Sequence, residues 1–186
     1  MRLISYLLLT PIISCSLSQV LKLVFNIILN KQKFKLSSLV SDGNYPSSHT
    51  AFVTSITAIS WFNTIVRCCD NDNVELWIWV SASITMLWFI VVRDALGVRY
   101  TVQKLCECVS EIVDNTSKAE DIKKKLDIKS GHRPYEVIAG AVLGVIVASF
   151  TSCIYYGWYK CVIYTIFILV IYIFVSLIIL KYKRCK

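Results

Sequence analysis

The side chains best suited to catalysis are the chain's two histidines, because each stands where a membrane helix is expected to begin. His49 ends the segment Pro46-Ser47-Ser48-His49, whose serines are natural N-caps. A helix start exposes unpaired backbone N–H groups and the positive end of the helix dipole, so it binds anions such as phosphate. His49 in the first turn could donate a proton to such an anion. A purely structural cap with an interfacial histidine is the alternative.

His132 repeats this arrangement in Ser130-Gly131-His132-Arg133-Pro134, where the proline suits a first helical position. Glu136 follows four residues later, and this spacing puts both side chains on one helix face. A carboxylate there can hold the imidazole in one tautomer and stabilise its cation. A histidine oriented in this way is either a base or a nucleophile. The alternative is a structural His–Glu pair.

Two arginines form a third candidate element in the segment Arg93-Asp94-Ala95-Leu96-Gly97-Val98-Arg99. Arg93 and Arg99 carry planar, permanently charged groups that suit bidentate phosphate recognition. Anchoring of a helix end among lipid headgroups is an equally open interpretation.

The elements that position these residues are predicted to be membrane helices, because the chain is 56% hydrophobic and its apolar residues form long runs. A span needs roughly 20 mainly apolar residues. Five runs qualify: 3–24, 48–66, 74–92, 135–156 and 158–180. The first could continue to residue 30. We therefore predict an all-α membrane bundle of about five transmembrane helices.

The polar connections are expected at 31–47, 67–73 and 93–133. In the longest one, apolar residues recur every three or four positions, which indicates an amphipathic helix on the membrane surface. These residues are Val98, Val102, Leu105, Val109, Ile112 and Val113. Most of the 20 lysines and arginines fall on the side that holds both histidines. The positive-inside rule then predicts a cytoplasmic site, with the N-terminus outside and the C-terminus inside.

The eight cysteines lack the spacing of a zinc site, and no Cys-x-x-Cys pair occurs. We expect no metal, no other cofactor and no disulfides. Nothing in the pattern of charges indicates a nucleic-acid partner, and the oligomeric state stays open.

Three segments in this order resemble the divergent branch of the type 2 phosphatidic acid phosphatases, which are membrane relatives of the vanadium haloperoxidases. The segments are Asp42-Gly43-Asn44-Tyr45-Pro46-Ser47-Ser48-His49-Thr50-Ala51, the segment from Arg93 to Arg99, and Gly131-His132-Arg133-Pro134-Tyr135-Glu136-Val137-Ile138-Ala139-Gly140. The resemblance covers roughly residues 9–148. It makes 1–156 a phosphatase-like membrane domain and leaves 157–186 as an added helix, interpreted as an anchor, with a basic tail.

The resemblance implies a phosphohistidine mechanism. His132 would be the nucleophile, Glu136 its orienting carboxylate and His49 the general acid. Ser47, Ser48 and nearby amides would bind phosphate oxygens. Arg99, with Arg93, would clamp the phosphoryl group.

Parts of the superfamily's phosphate motif are missing from this chain. Ser48 stands where the wider superfamily has glycine, although the divergent branch shares the serine. No Arg-Pro pair follows Lys31, Lys33 and Lys35, and Lys129-Ser130 replaces a serine–arginine pair before His132. Fewer guanidinium groups mean weaker stabilisation of phosphoryl charge.

These patterns favour a lipid phosphate phosphatase in the inner membrane of a bacterium, acting on phosphatidate, phosphatidylglycerophosphate or a similar ester. The runner-up is a catalytically weak or inactive membrane protein that binds lipid phosphate headgroups. A transporter is disfavoured, because no acidic residue lies deep in a span and no inverted repeat is visible.

Overall fold

A computed structural model describes residues 2–30, 45–70, 73–113 and 133–184, and these residues are helical apart from short turns. The helices are α1 (Arg2–Asn30), α2 (Ser48–Asp70), α3 (Val74–Arg93), a π-helical segment (Asp94–Val98), α4 (Arg99–Val113), α5 (Pro134–Tyr155) and α6 (Tyr159–Arg184). The predicted all-α class is confirmed for this part of the chain. Residues 31–44 of the connection predicted at 31–47 and residues 114–132 of the one predicted at 93–133 lie outside the described residues.

The helix α1 runs antiparallel to both α2 and α5, so that α2 and α5 are parallel and begin at the same end of the bundle. Near the opposite end, Thr10 of α1 donates a hydrogen bond to Thr151, which is close to the end of α5 (3.0 Å). Further along α1, Ser14 donates to the carbonyl of Ala51 in the first turn of α2 (3.1 Å). We call the end where α2 and α5 begin the site end, because the His49 motif belongs to the first of these helix starts and the His132 motif precedes the second in the sequence.

Among the described residues, four helices are long and apolar enough to cross a membrane: Leu3–Ile28, Val74–Val98, Pro134–Tyr155 and Tyr159–Tyr182. Their outward surfaces are apolar; on α3, for example, Trp79 is 74% exposed and Met86 is 68% exposed. A bilayer solvates such side chains, so the four helices indicate an integral membrane protein. Four of the five predicted spans are therefore supported.

The helix α2 is less apolar, because it lies in the middle of the bundle and contacts α1, α3 and α5. Its buried polar side chains have hydrogen-bond partners. Asn63 donates to the carbonyl of Ile59 (2.7 Å), and Thr54 accepts from the indole of Trp88 (2.8 Å). Satisfied polar groups can be buried in a bundle at modest cost, so α2 needs no apolar outer face.

Small residues let α5 approach α2 closely, as the Gly140-x-x-x-Gly144-x-x-x-Ala148 pattern predicts. A Cβ atom at Gly140 would overlap the carbonyl oxygen of Ser47, and one at Gly144 would lie 2.6 Å from that of Ala51. Ala148 is buried further along the same helix. This contact fixes α5 against the start of α2.

The segment predicted to be amphipathic is a helix, α4, which packs mainly against the π-helical segment. Its apolar residues Val102, Leu105, Val109 and Ile112 are exposed. Its location on the membrane surface stays a prediction.

Candidate active site

The two histidine motifs meet through a backbone hydrogen bond. The N–H of Ser47, just before α2, donates to the carbonyl of Glu136 in the first turn of α5 (3.0 Å). Ser47 is fully buried there, against the surface that Gly140 leaves open. Residues separated by almost ninety positions in the sequence are therefore held in direct contact at the site end.

The two predicted phosphate-binding serines already hold the local structure together. Ser47 caps α2, since its Oγ accepts hydrogen bonds from the hydroxyl (3.0 Å) and the N–H (3.4 Å) of Thr50. Ser48 lies close to Ser18 of α1, whose hydroxyl is 3.3 Å from the Ser48 Oγ and 3.2 Å from the carbonyl of Pro46. Their contact with a phosphate stays a prediction.

His49 is exposed in the first turn of α2 and lines a cavity of about 570 Å³ between α1, α2 and the end of α3. We call it the His49 cavity. Ser48 and Asp94 also line it, so the first and second motifs share one space. Asp94 begins the π-helical segment, a wider turn of the kind that frequently occurs at functional sites.

Among the described residues that line the His49 cavity, neither of the two predicted arginines is found. Arg93 is exposed and lines a separate, shallower depression together with Leu96 and Val98. Arg99 is the first residue of α4, and its side chain lies outside the part that the structure describes. The phosphate-clamping roles of both arginines stay predictions.

The proposed nucleophile, His132, lies outside the described residues, immediately before Arg133. Glu136, its predicted partner, is buried in the first turn of α5 with 9% of its surface exposed. One carboxylate oxygen of Glu136 accepts a hydrogen bond from the N–H of Arg133 (3.1 Å). The carboxylate therefore caps its own helix start beside the nucleophile's position in the chain, and its contact with His132 stays a prediction.

Lys22 is a residue that the sequence analysis missed. It is only 4% exposed, although it carries a charge inside an apolar helix. It follows Ser18 by four residues, so it shares the face of α1 that contacts Pro46 and Ser48. The available signal was the charge itself, because an ionisable residue within a span is a functional candidate.

The helix α6 also contributes to the site end. Its Ser176 hydroxyl is hydrogen-bonded to the hydroxyl of Tyr45, just before the first motif (2.8 Å), and Tyr172 donates to the carbonyl of Ala139 (3.0 Å). Tyr45 lies between the rings of Phe25 and Tyr135, at centroid distances of 5.9 and 6.0 Å. The helix interpreted as an anchor is thus bonded to both motif-bearing segments. The domain division at residue 156 stays a prediction.

This geometry favours the binding of an anion. Two helix starts converge, each with the positive end of its helix dipole, and a buried lysine lies on the neighbouring face of α1. Within the described residues, no three His, Cys, Asp or Glu side chains are placed to hold a metal ion.

Comparison with known proteins confirms the family that the three motifs resemble. The model of the Divergent PAP2 family matches residues 3–147, which is most of the chain and includes all three motifs. No curated protein and no solved structure matches the chain. The chain therefore belongs to the Divergent PAP2 family.

Proposed function

We propose that the protein is a metal-independent phosphatase that hydrolyses a lipid phosphate monoester at the site end of the bundle. The observation that carries this proposal is the hydrogen bond from Ser47 to the carbonyl of Glu136, because it joins the His49 motif to the segment that follows His132. Two converging helix starts stabilise an anion, and membership of a phosphatase-related family supports phosphoryl chemistry.

The proposed reaction has two steps. A ring nitrogen of His132 attacks phosphorus while the P–O ester bond breaks, and the leaving oxygen takes a proton from His49. Water then attacks the phosphohistidine, losing a proton to His49 as phosphate leaves and the His132 nitrogen regains its electron pair. Glu136 orients His132 in both steps.

In this proposal, Lys22 supplies positive charge in place of the superfamily arginines that this chain lacks. Helical side chains lean towards the N-terminus of their helix, so we expect the Lys22 side chain to extend back towards Ser18, which contacts Pro46 and Ser48. An ammonium group there would stabilise the phosphoryl oxygens together with Ser48, the amides of the helix start, Arg93 and Arg99.

The substrate of this proposal is phosphatidate, phosphatidylglycerophosphate or a related lipid ester at the inner leaflet. Its phosphate lies among headgroups, at the depth where a membrane helix begins. The distribution of basic residues supports a cytoplasmic orientation of this face, and the proposal assigns it to the inner membrane of a bacterium.

The experiment measures phosphate release from a panel of lipid phosphates by the purified protein in nanodiscs containing a chelator. His132→Ala should abolish turnover, vanadate should inhibit, and Glu75→Gln, at an exposed position in the first turn of α3 at the opposite end of the bundle, should behave as wild type. Vanadate imitates the five-coordinate phosphorus of the transition state. Activity that disappears with chelator and returns with magnesium would refute the metal-independent reaction, and activity unchanged in His132→Ala would refute the nucleophile.

A binding protein without turnover is the second candidate. Two observations favour it: the Ser47 hydroxyl is engaged in capping, and Arg93 lines a different cavity from His49. Folded protein that binds a lipid phosphonate but releases no phosphate from any ester would establish this alternative.

A further inference from the structure

The His49 cavity is polar at one end and apolar at the other. The residues towards the site end are Gln19, Ser48, His49 and Asp94, with the apolar Ala95 beside them. The residues about one helical turn deeper are Cys15, Phe52, Val53, Ile90 and Val91. All three helices around the cavity follow this order, so the cavity is polar towards the site end and apolar further along the helices, where Phe52 and Ile90 are exposed.

The position of His49 identifies the part of the substrate that faces this cavity. A general acid contacts the leaving oxygen, so the carbon attached to that oxygen lies next to His49. The cavity continues from His49 between Phe52, Val53 and Ile90. A polar leaving group would lose its hydration there without gaining partners, whereas a hydrocarbon chain would gain apolar contacts.

One buried polar atom also points to an occupant. The Gln19 Oε1 is the buried side-chain oxygen that has no hydrogen-bond partner within the described residues, and Gln19 lines the polar end. Buried acceptors in proteins are nearly always hydrogen-bonded. A ligand hydroxyl or a water at this end would satisfy it.

We propose that the His49 cavity binds one hydrocarbon chain of the leaving alcohol, and that Val53, Phe52 and Ile90 set the preference for long-chain phosphate esters. This inference rests on the proposed function for its assignment of the leaving group. The binding of a chain can nevertheless be measured without turnover.

The test compares the thermal stability of the protein in nanodiscs with dodecylphosphonate and with methylphosphonate. A ligand that binds only the folded protein raises Tm, so the longer chain should give the larger increase. Val53→Trp fills the cavity and should remove this difference while the response to methylphosphonate remains. Val145→Trp, on an outward position of α5 that is 47% exposed, should keep it. Ile90→Trp provides a second way to fill the cavity if Val53→Trp does not fold.

Kinetics supply the second measurement. In the wild type, kcat/KM should be higher for dodecyl phosphate than for methyl phosphate, and Val53→Trp should reduce that ratio about tenfold or more. A chain-length difference in Tm that persists in both cavity-filling variants would overturn the inference. Chain-dependent stabilisation without any phosphate release would support the inference and refute the proposed function. If phosphate is released but neither kcat/KM nor the increase in Tm depends on chain length, the result would refute the inference and support the proposed function.

Discussion

His49 is the residue whose proposed role makes the most specific kinetic prediction. A general acid matters in proportion to how poorly the leaving oxygen departs unprotonated. His49→Ala should therefore slow hydrolysis of alkyl phosphates by about 10²–10⁴-fold and that of nitrophenyl phosphate far less. Steady-state kinetics on both esters measures the difference, with His132→Ala as the variant that loses both activities. Equal losses on the two esters would contradict the general-acid role.

Lys22 should contribute to phosphate affinity through its charge. Lys22→Met keeps the length of the side chain but removes the ammonium group, so vanadate inhibition should weaken by about tenfold or more, since hydrogen bonds to charged groups contribute about 1.5–3 kcal/mol. Lys22→Arg should retain part of the affinity. Lys160→Met, at an exposed position near the start of α6, is the matched control. Unchanged vanadate inhibition in Lys22→Met would remove this residue from the site.

At the scale of elements, the close contact between α2 and α5 keeps the two motifs together. Gly140→Ala places a methyl group against the carbonyl of Ser47, so we expect a loss of about 1–3 kcal/mol in the free energy of unfolding, together with reduced turnover. Gly97→Ala is the matched control, because a Cβ atom there would have no neighbour within 4 Å. Thermal unfolding in nanodiscs, with phosphate release on the same samples, measures both effects. Equal stability and activity of the two variants would contradict the proposed role of this contact.

The sequence predicted most of these elements, because apolar runs and helix starts leave strong local signals. Its glycine pattern on α5 is confirmed by the contacts of Gly140 and Gly144. The role of α6 was not visible, since Tyr172 and Ser176 bond to segments far away in the chain. The spacing of these two residues puts them on one helix face, but it does not identify their partners.

In the whole molecule, α2 and α5 begin at one common end, the site end. The orientation of this end in the membrane can be tested. The positive-inside rule predicts that the site end faces the cytoplasm. Cysteines introduced singly at Ser41 and Ser117, in a background without the native cysteines, should resist an impermeant thiol reagent until the cells are lysed. Labelling of both on intact cells would reverse the orientation, and labelling of only one would contradict the model of five spans.

The candidate site was predictable in its motifs but not in its contacts. Sequence order gives no indication that Ser47 bonds to Glu136, that Asp94 rather than Arg93 shares the cavity of His49, or that Lys22 is buried nearby. Each of these depends on how separate helices pack. A single sequence indicates which residues share a helix face, but it does not show which faces pack against each other.

The central claim is that the joined helix starts carry out phosphoryl transfer through His132, and detection of the phosphorylated enzyme tests it most directly. The protein would be mixed with a lipid phosphate, quenched during turnover under alkaline conditions and digested, and the peptides would be analysed by mass spectrometry. The account predicts one acid-labile phosphoryl group on the peptide that contains His132, absent from His132→Ala. Phosphate release with no such adduct, or with the adduct on another residue, would contradict it.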